Sequence, residues 1–325
     1  MRSKVFFING GAGRVVASIP ALEKYAETHD DFIIVCEGGM NFYRGHPVLH
    51  KYAYDNWHKG LFEDKIKDRD CMTPEPYRIW HYYNQKCSLA QAFDIEINGL
   101  DEPRELPAPN ITLAKGEGIQ GLQLVDEAIK TTGKEKVIVI QPFGRGIMDT
   151  GGYMFDPTSR SFNLQDISTI INDLKKDYCV IVMSEFPFTT EEKESKDAYI
   201  LPNIEDIRIW AGIIDRADHF LGCDSVGQHI AKAVDSTVTA VIGSTYPINI
   251  SYPDDPKFDI IDLGEDKRTF SPIRLTMEDY QDMQNDECMS MTEEDIAAVI
   301  KSCRDRLGKP VKKKIVQAET KGFGK

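Results

Sequence analysis

The stretch from residue 219 to residue 243 constrains the fold of this chain more than any other. An apolar strand over His219–Gly222 leads into the polar turn Cys223–Ser225, and the apolar positions after it have helical spacing. A second apolar strand follows over Thr237–Ile242. Strand, turn, helix and strand form one βαβ unit, which requires a parallel sheet.

Polar residues gather where the helix of this unit begins. Asp224 or Ser225 is expected to cap it, because the first amide groups of a helix lack partners inside it. Free N–H groups and the helix dipole suit an anionic ligand at that end. A capped surface helix is the ordinary alternative, but His229 and Gln228 fall in the first turns and favour a binding site.

The first half of the chain repeats this arrangement. Strand Val5–Ile8, the glycine loop Asn9–Gly13, a helix from Arg14 to about Tyr25 and strand Phe32–Val35 form a second βαβ unit. Glycines at such a turn are where a doubly wound sheet binds ligands. The loop fails the dinucleotide pattern GxGxxG, because Val16 stands where its last glycine should be. A nicotinamide-dependent enzyme therefore stays only as an alternative.

A glycine-rich loop follows strand Val137–Ile140 and extends from Gln141 to Ser161. Ordered loops of this length are usually functional. Arginine matches phosphate oxygens with a bidentate fork, although a solvated surface loop would also carry arginines. The loop is predicted to share a diphosphate with Asp224, through Gly144, Arg145, Arg160 and Ser161.

Composition excludes some classes of protein. No apolar run approaches the ~20 residues that a membrane span needs, no signal peptide is recognisable, and the seven cysteines form no CxxC pair. These features predict a cytoplasmic protein without a zinc site. The net charge is −13, but residues 301–325 hold nine Lys/Arg against two Asp/Glu, so they carry +7 and the remainder −20. This basic tail is either a solvated end or a handle for a polyanion such as DNA.

The motifs resemble those of the family 9 glycosyltransferases, the heptosyltransferase-like group. Residues 217–225 together with His229 match the family's Asp-Ser-xxx-His signature, and residues 241–245 resemble the strand and turn after it. Residues 11–22 match the family's first loop and helix, and residues 46–49 resemble the segment after its second strand. The chain as a whole also resembles transferases of this type from large tailed bacteriophages.

The resemblance implies an α/β protein of GT-B fold, with two Rossmann-like, doubly wound parallel-sheet domains facing a cleft. We expect an acceptor domain over residues 1–130 and a nucleotide-sugar donor domain over residues 131–325. It also implies inverting, metal-independent sugar transfer with the nucleotide-diphosphate sugar as co-substrate and no cofactor. Residues predicted to bind the donor are Gly11, Gly13, Arg14, Gly144, Arg145, Arg160, Ser161, Glu185, Asp224, Ser225, Gln228 and His229. Within this set, Arg160 would meet the phosphates and Glu185 the ribose.

One position departs from the family. An acidic residue, thought to be the catalytic base, usually follows the first glycine loop, whereas this chain has Arg14 there. An arginine cannot act as an ordinary base near neutral pH. Glu37 is the predicted replacement, because it leaves the second strand beside the same crevice. His46 and Asp149 are further candidates, and a catalytically silent sugar-nucleotide binding protein is an alternative.

The acceptor is expected to lie against the aromatic stretch from Phe42 to Tyr83. Aromatic faces stack on sugars and on bases, although a buried satellite core would explain them too. The bacteriophage resemblance and the basic tail favour a hydroxymethylated pyrimidine in DNA, which would have to leave the base stack. A lipopolysaccharide or another surface saccharide is the alternative acceptor.

Overall fold

A computed structural model describes residues 2–144, 146–149, 151, 154–186, 199–268 and 287–311. Two parallel sheets organise these residues, one in each half of the chain. Two Rossmann-like units were predicted from the sequence, and this prediction is confirmed. In the described part, no helix is both long and apolar enough to cross a membrane.

The N-terminal sheet has four parallel strands in the order β3-β2-β1-β4. Because β2 and β4 lie on opposite sides of β1, the strand order reverses between β1 and β4, and ligands bind at such reversals. The bounds of its elements are β1 (Lys4–Ile8), α1 (Ala12–Ala26), β2 (Phe32–Cys36), β3 (Ala53–Asp55), β4 (Asp70–Met72), α2 (Trp80–Tyr83) and α3 (Leu89–Asn98).

The two faces of this sheet are covered differently. Helix α1 packs against α3 on one face, around Phe6, Ile34 and Phe93. On the other face Val5, Ile33 and Val35 contact the single turn of π-helix at residues 61–66. The aromatic residues between Phe42 and Tyr83 fall into a buried group and an exposed group. The buried group contains Phe42, Tyr43, Tyr52 and Tyr82, and the exposed group contains Trp57, Phe62 and Trp80.

The C-terminal sheet has five parallel strands in the order β11-β10-β9-β5-β8, and a bridge from Ile181 to Ile200 extends it beyond β8. Its strand order reverses between β5 and β9. The bounds of its elements are α4 (Lys115–Thr132), β5 (Val137–Gln141), β6 (Met148–Asp149), β7 (Met154–Phe155), α5 (Leu164–Leu174), β8 (Cys179–Val182), α6 (Ile207–Arg216), β9 (His219–Gly222), α7 (Val226–Ala233), β10 (Val238–Ile242), α8 (Pro247–Ile250), β11 (Phe258–Asp262) and α9 (Glu293–Leu307). Strands β6 and β7 form a separate antiparallel hairpin inside the glycine-rich loop.

Helix α4 precedes the predicted domain boundary at residues 130/131, but it packs on the C-terminal unit. Gly121 of α4 meets Gly212 of α6 so closely that a Cβ added to Gly121 would lie 2.5 Å from the Gly212 carbonyl carbon. Val125 and Ala128 are buried in the same apolar cluster as Val139 of β5. Helix α4 therefore packs on α6 of the C-terminal unit, and the boundary at residues 130/131 stays a prediction.

The two units share one buried apolar core. A single cluster contains residues of α1, such as Val16 and Ile19, and residues of α7, such as Ile230. The buried Arg208 side chain adds polar contacts across the same region: its Nε donates to Glu117 Oε1 at 2.7 Å, and its Nη1 to the Asn41 carbonyl at 2.9 Å. These contacts hold the carboxyl ends of the two sheets in fixed relation.

Candidate functional site

The carboxyl ends of β5 and β9 form the centre of the candidate site. Gln141 is the last residue of β5, and Asp224 follows the end of β9 by two residues. The Gln141 side chain accepts the Gly227 N–H at 2.9 Å and donates to Ser225 Oγ at 3.1 Å. We expected Asp224 or Ser225 to cap α7, and this was wrong. Ser225 occupies the cap position without a side-chain cap bond, because Gln141 takes that role.

Asp224 is held by two partners at this edge of the sheet. Thr245, just after β10, donates its hydroxyl to Asp224 Oδ2 at 2.9 Å. A guanidinium nitrogen of Arg160 lies 3.8 Å from the same oxygen. Asp224 and Arg160, predicted to share one site, are therefore brought together.

Arg160 is the cation of this cluster. Burial lowers its pKa, but the negative charges of Asp224 and Asp156 outweigh burial and raise it above the ordinary value. Its Nε donates to the Thr158 hydroxyl at 3.0 Å, which fixes the plane of the guanidinium. The Arg160 side chain is still 25% exposed, so part of the group remains available to a ligand.

The loop after β5 is folded around one carboxylate, Asp156. Its oxygens accept the N–H groups of Thr158 and Ser161 at 2.8 and 3.0 Å and also the hydroxyls of both residues. The Ser161 hydroxyl in turn accepts the Gly144 N–H at 2.9 Å. The predicted donor residues Ser161 and Gly144 therefore hydrogen-bond to each other. Arg145, also predicted to bind the donor, lies outside the described residues.

His229 contacts both halves of the chain. Its Nδ1 lies 2.9 Å from the Tyr252 hydroxyl, and burial lowers its pKa to about 4, so the imidazole is neutral at physiological pH. Its ring lies against Gly13 of α1, at 3.4 Å between Cδ2 and a Cβ built on that glycine. The neighbouring Gln228 is completely buried, and neither polar atom of its amide has a hydrogen-bond partner.

The first glycine loop brings the start of α1 to the same place. Gly10 has φ +98°, a left-handed conformation that favours glycine, and Gly11 occupies the cap position of α1. Glu37, the predicted base, accepts the Gly10 N–H at 3.3 Å through Oε2 and is exposed. Glu37 therefore lies beside the loop, as its position after β2 suggested.

Arg14 does not reach towards the C-terminal unit. Its Nη2 donates to the Pro74 carbonyl at 3.0 Å, its Nη1 lies 3.4 Å from Glu75 Oε1, and its guanidinium stacks near the rings of Tyr77 and Phe93. Both terminal nitrogens of the Arg14 guanidinium contact the N-terminal unit, whereas its buried Nε has no hydrogen-bond partner, and donor binding by Arg14 stays a prediction.

His46 is engaged in the same way. Its Nδ1 accepts the backbone N–H groups of Val48 and Leu49 at 3.2 and 3.0 Å, so Nε2 carries the proton and donates to Glu23 at 3.0 Å. With both nitrogens occupied inside the N-terminal unit, His46 orders a turn. His46 as the base stays a prediction from the sequence that these hydrogen bonds do not favour.

Two further candidates are exposed at loops. Asp149 ends β6 in the hairpin and accepts the Gly151 N–H at 2.8 Å. Glu185 follows β8, the strand next to β5, and is exposed there. The structure shows no contact of either with the Asp224 cluster. Among the described residues, no group of three or more His, Cys, Asp or Glu side chains could hold a metal ion.

The side chain of Asn249, in the C-terminal unit, hydrogen-bonds to the segment that follows β4 in the N-terminal unit. Asn249 of α8 donates its amide to the carbonyls of Tyr82 and Cys87 at 2.9 and 2.8 Å. Sequence reasoning missed this contact, as it missed the Gln141 cap of α7 and the pairing of Arg14 with Glu75. These roles depend on strand neighbours that are distant along the chain, although the position of Gln141 at the end of a predicted strand was a usable signal.

Comparisons with known proteins support the fold. No protein-family model matches the chain. A search of curated proteins finds no match either. A structure of the glycosyl transferase family 9 from Veillonella parvula matches with a TM-score of 0.64 and 12% identity, covering 94% of this chain and 97% of that one.

Two other solved structures have similar coverage of this chain. The iron-containing dodecameric heptosyltransferase TibC of E. coli, in complex with ADP-D-β-D-heptose, matches with a TM-score of 0.53 and 11% identity over 94% of this chain and 77% of that one. The E. coli ADP-heptose lps heptosyltransferase II matches with a TM-score of 0.51 and 11% identity over 93% and 99%. The predicted GT-B fold is therefore confirmed.

Proposed function

We propose that this protein is a glycosyltransferase that moves a sugar from a nucleoside-diphosphate sugar to an acceptor hydroxyl. One observation carries the proposal: Arg160, Asp224 and the start of α7 lie together where the strand order of the second sheet reverses. This is the position at which such sheets bind nucleotides. The start of α1 faces the cluster from the other sheet, through Gly13 and His229.

The cluster provides what the departing group needs. In an inverting transfer the acceptor oxygen bonds to the anomeric carbon while the bond from that carbon to the diphosphate oxygen breaks, and the electron pair leaves with the diphosphate. Arg160 and the first N–H groups of α7 can stabilise this negative charge. A metal ion is not required for that step, and we propose metal-independent transfer without a further cofactor.

Other donor contacts remain part of the proposal. Asp224, with its carboxylate oriented by Thr245, is suited to accept hydrogen bonds from sugar hydroxyls. The neutral His229 can donate through Nε2 when Tyr252 donates to its Nδ1. Glu185 stands after β8 beside the nucleotide position and is our proposal for the ribose contact.

For the acceptor we propose a saccharide hydroxyl. The sequence favoured a hydroxymethylated pyrimidine in DNA, with the basic tail as a handle. Most of that tail, from residue 312 onwards, lies outside the described residues, and a net charge of −13 repels a polyanion. A bacteriophage type and a cytoplasmic location stay predictions from the sequence.

A panel of nucleotide sugars tests the function. We expect ADP-heptose, UDP-glucose or GDP-mannose to raise the melting temperature and to be consumed in the presence of oligosaccharide acceptors. Mass spectrometry of nucleosides from hydroxymethylcytosine DNA would detect the other acceptor class. Binding without turnover would favour the silent binding protein, and a response to NAD(P) alone would contradict the proposal.

Two variants locate the donor. Asp224→Ala and His229→Ala should each weaken donor binding by about 1–3 kcal/mol, or ~10–100-fold in Kd, because each removes a buried polar contact. Asp254→Ala, at an exposed aspartate, is the matched control and should bind the donor normally. Unchanged donor affinity in both site variants would refute this placement.

A further inference from the structure

Glu75 stands where the strand order of the first sheet reverses. It follows the end of β4 by three residues, and β4 pairs with β1, whose exit loop leads into α1. The carboxyl ends of β1 and β4 thus form the N-terminal counterpart of the edge at which Arg160 and Asp224 lie. Glu75 belongs to this edge, and nothing in the transfer chemistry above has used it.

Three contacts fix Glu75. The Glu75 N–H donates to Glu96 Oε2 at 2.6 Å. The carbonyl of Pro74, the preceding residue, accepts a hydrogen bond from Arg14 Nη2 at 3.0 Å. Oε1 of Glu75 lies 3.4 Å from Arg14 Nη1. Burial raises the pKa of Glu96 above its ordinary value. The Arg14 side chain is 9% exposed and that of Glu75 30%, so the carboxylate is the part of this pair that reaches the solvent.

The residues after Glu75 lie next to the C-terminal unit. Tyr77, two positions later, is among the groups that raise the pKa of Arg160 in the C-terminal unit. Burial raises the pKa of Tyr82 well above its ordinary value, the charge of Asp224 raises it further and that of Arg14 lowers it, so charged groups of both units act on this phenol. The Asn249 amide holds the Tyr82 carbonyl on the C-terminal side. The segment that begins at Glu75 therefore packs against the unit that carries Arg160 and Asp224.

Glu37 is placed less favourably. It follows β2, which pairs with the side of β1 opposite to β4. One of its carboxylate oxygens accepts the Gly10 N–H, and no cationic side chain holds it among the residues that the structure describes. Glu37 is exposed whereas Glu75 is only partly exposed, so water competes more for the Glu37 carboxylate, and proton transfer requires defined geometry.

We infer that Glu75 is the general base of the sugar transfer and that Arg14 is the residue that positions it. The inference rests on the proposed function. Glu75 Oε2 would take the proton of the acceptor hydroxyl while the acceptor oxygen bonds to the anomeric carbon. The bond from that carbon to the diphosphate would break, and the diphosphate would leave with the electron pair towards Arg160. In this assignment the base lies in the loop after β4, and Arg14, which follows the first glycine loop, holds it in position.

Chemical rescue tests this assignment. We expect Glu75→Gln and Glu75→Ala to lower kcat by ~10²–10⁴-fold, the usual contribution of a general base. Donor Kd should stay within about twofold, because the lost contact forms only during the reaction. Formate should restore part of the turnover of Glu75→Ala. A merely structural role would not respond to formate.

The pH profile and the control variants complete the test. The acidic limb of the kcat/KM profile should disappear in Glu75→Gln, whereas Glu105→Gln, at an exposed glutamate of the 101–114 segment, should keep the wild-type profile. Arg14→Lys should retain more turnover than Arg14→Ala. Wild-type kcat in Glu75→Gln, or formate rescue in Glu37→Ala instead, would overturn the inference. If the wild type neither binds nor consumes any donor, the proposed function itself fails.

Discussion

Gly13 of the first sheet's helix faces His229 of the second sheet's helix so closely that a methyl group on Gly13 would touch the imidazole. A Cβ built on Gly13 would lie 3.4 Å from His229 Cδ2 and 3.7 Å from the Cα of Val226. The starts of α1 and α7 thus approach each other closely, with the His229 ring next to Gly13.

A side chain at position 13 should therefore act on the site more than on the fold. Gly13→Val would place two methyl groups against the His229 ring, and we expect kcat/KM for the donor to fall at least ~10-fold, a loss of about 1.4 kcal/mol. Gly116→Val, in open space on α4, is the control for the change in helix propensity. An unaffected kcat/KM in Gly13→Val would show that the donor does not use this contact.

The contact between α4 and α6 gives a test of stability. Because a Cβ on Gly121 would lie 2.5 Å from the Gly212 backbone, Gly121→Ala must push the helices apart, and we expect a loss of about 1–3 kcal/mol in the free energy of unfolding. Gly118→Ala lies on the same helix with nothing within 4 Å of the added methyl, and it should gain about 0.5–1 kcal/mol.

Urea unfolding of the two alanine variants decides the matter. Opposite signs for Gly121→Ala and Gly118→Ala are the expected result. Equal effects would mean that the glycines serve only backbone flexibility and that the two helices do not meet as described.

His219 should make the protein less stable in mild acid. Its ring lies in β9 between the hydroxyls of Thr237 and Thr239, at 2.8 and 2.9 Å, and burial lowers its pKa from 6.5 to about 4. Below pH 6.5 the imidazole of His219 becomes protonated in the unfolded chain but stays neutral in the folded chain until the pH approaches 4. Stability is therefore complete above pH 6.5 and falls by up to about 3 kcal/mol as the pH drops towards 4.

His219→Gln isolates this contribution, because an amide can still bond to both hydroxyls and does not titrate. The difference in the free energy of unfolding between pH 7.5 and pH 5 should be smaller in this variant than in the wild type. The dependence that remains includes His229, whose pKa is lowered in the same direction. An identical pH dependence in both proteins would contradict the buried neutral imidazole.

Local patterns predicted the regular elements well. Strand His219–Gly222 has the predicted bounds, and the predicted strands Val5–Ile8 and Thr237–Ile242 differ from β1 and β10 by one residue at their first position. The periodicity of their apolar residues and their flanking polar residues are visible within a dozen positions. By contrast, β4 covers only three residues with an exposed, polar start, and its apolar pattern is too short to detect.

The site was predictable where one segment supplies it. Asp224, Ser225 and His229 follow one another along a single βαβ unit, and their proximity follows from spacing. The pairing of Arg14 with Glu75 joins residues 61 positions apart and requires β4 to lie beside β1. Nothing in the local sequence of either residue indicates this neighbour, so the sequence offered Glu37, His46 and Asp149 as candidate bases and not Glu75.

Gln141 has a consequence for the potential at the start of α7. Its carboxamide satisfies a helix N–H group without bringing a charge, whereas an aspartate or glutamate in that role would cancel the positive end of the helix dipole. A neutral cap adds no negative charge at the start of α7. The amide at the end of β5 therefore leaves the positive end of the helix dipole uncancelled.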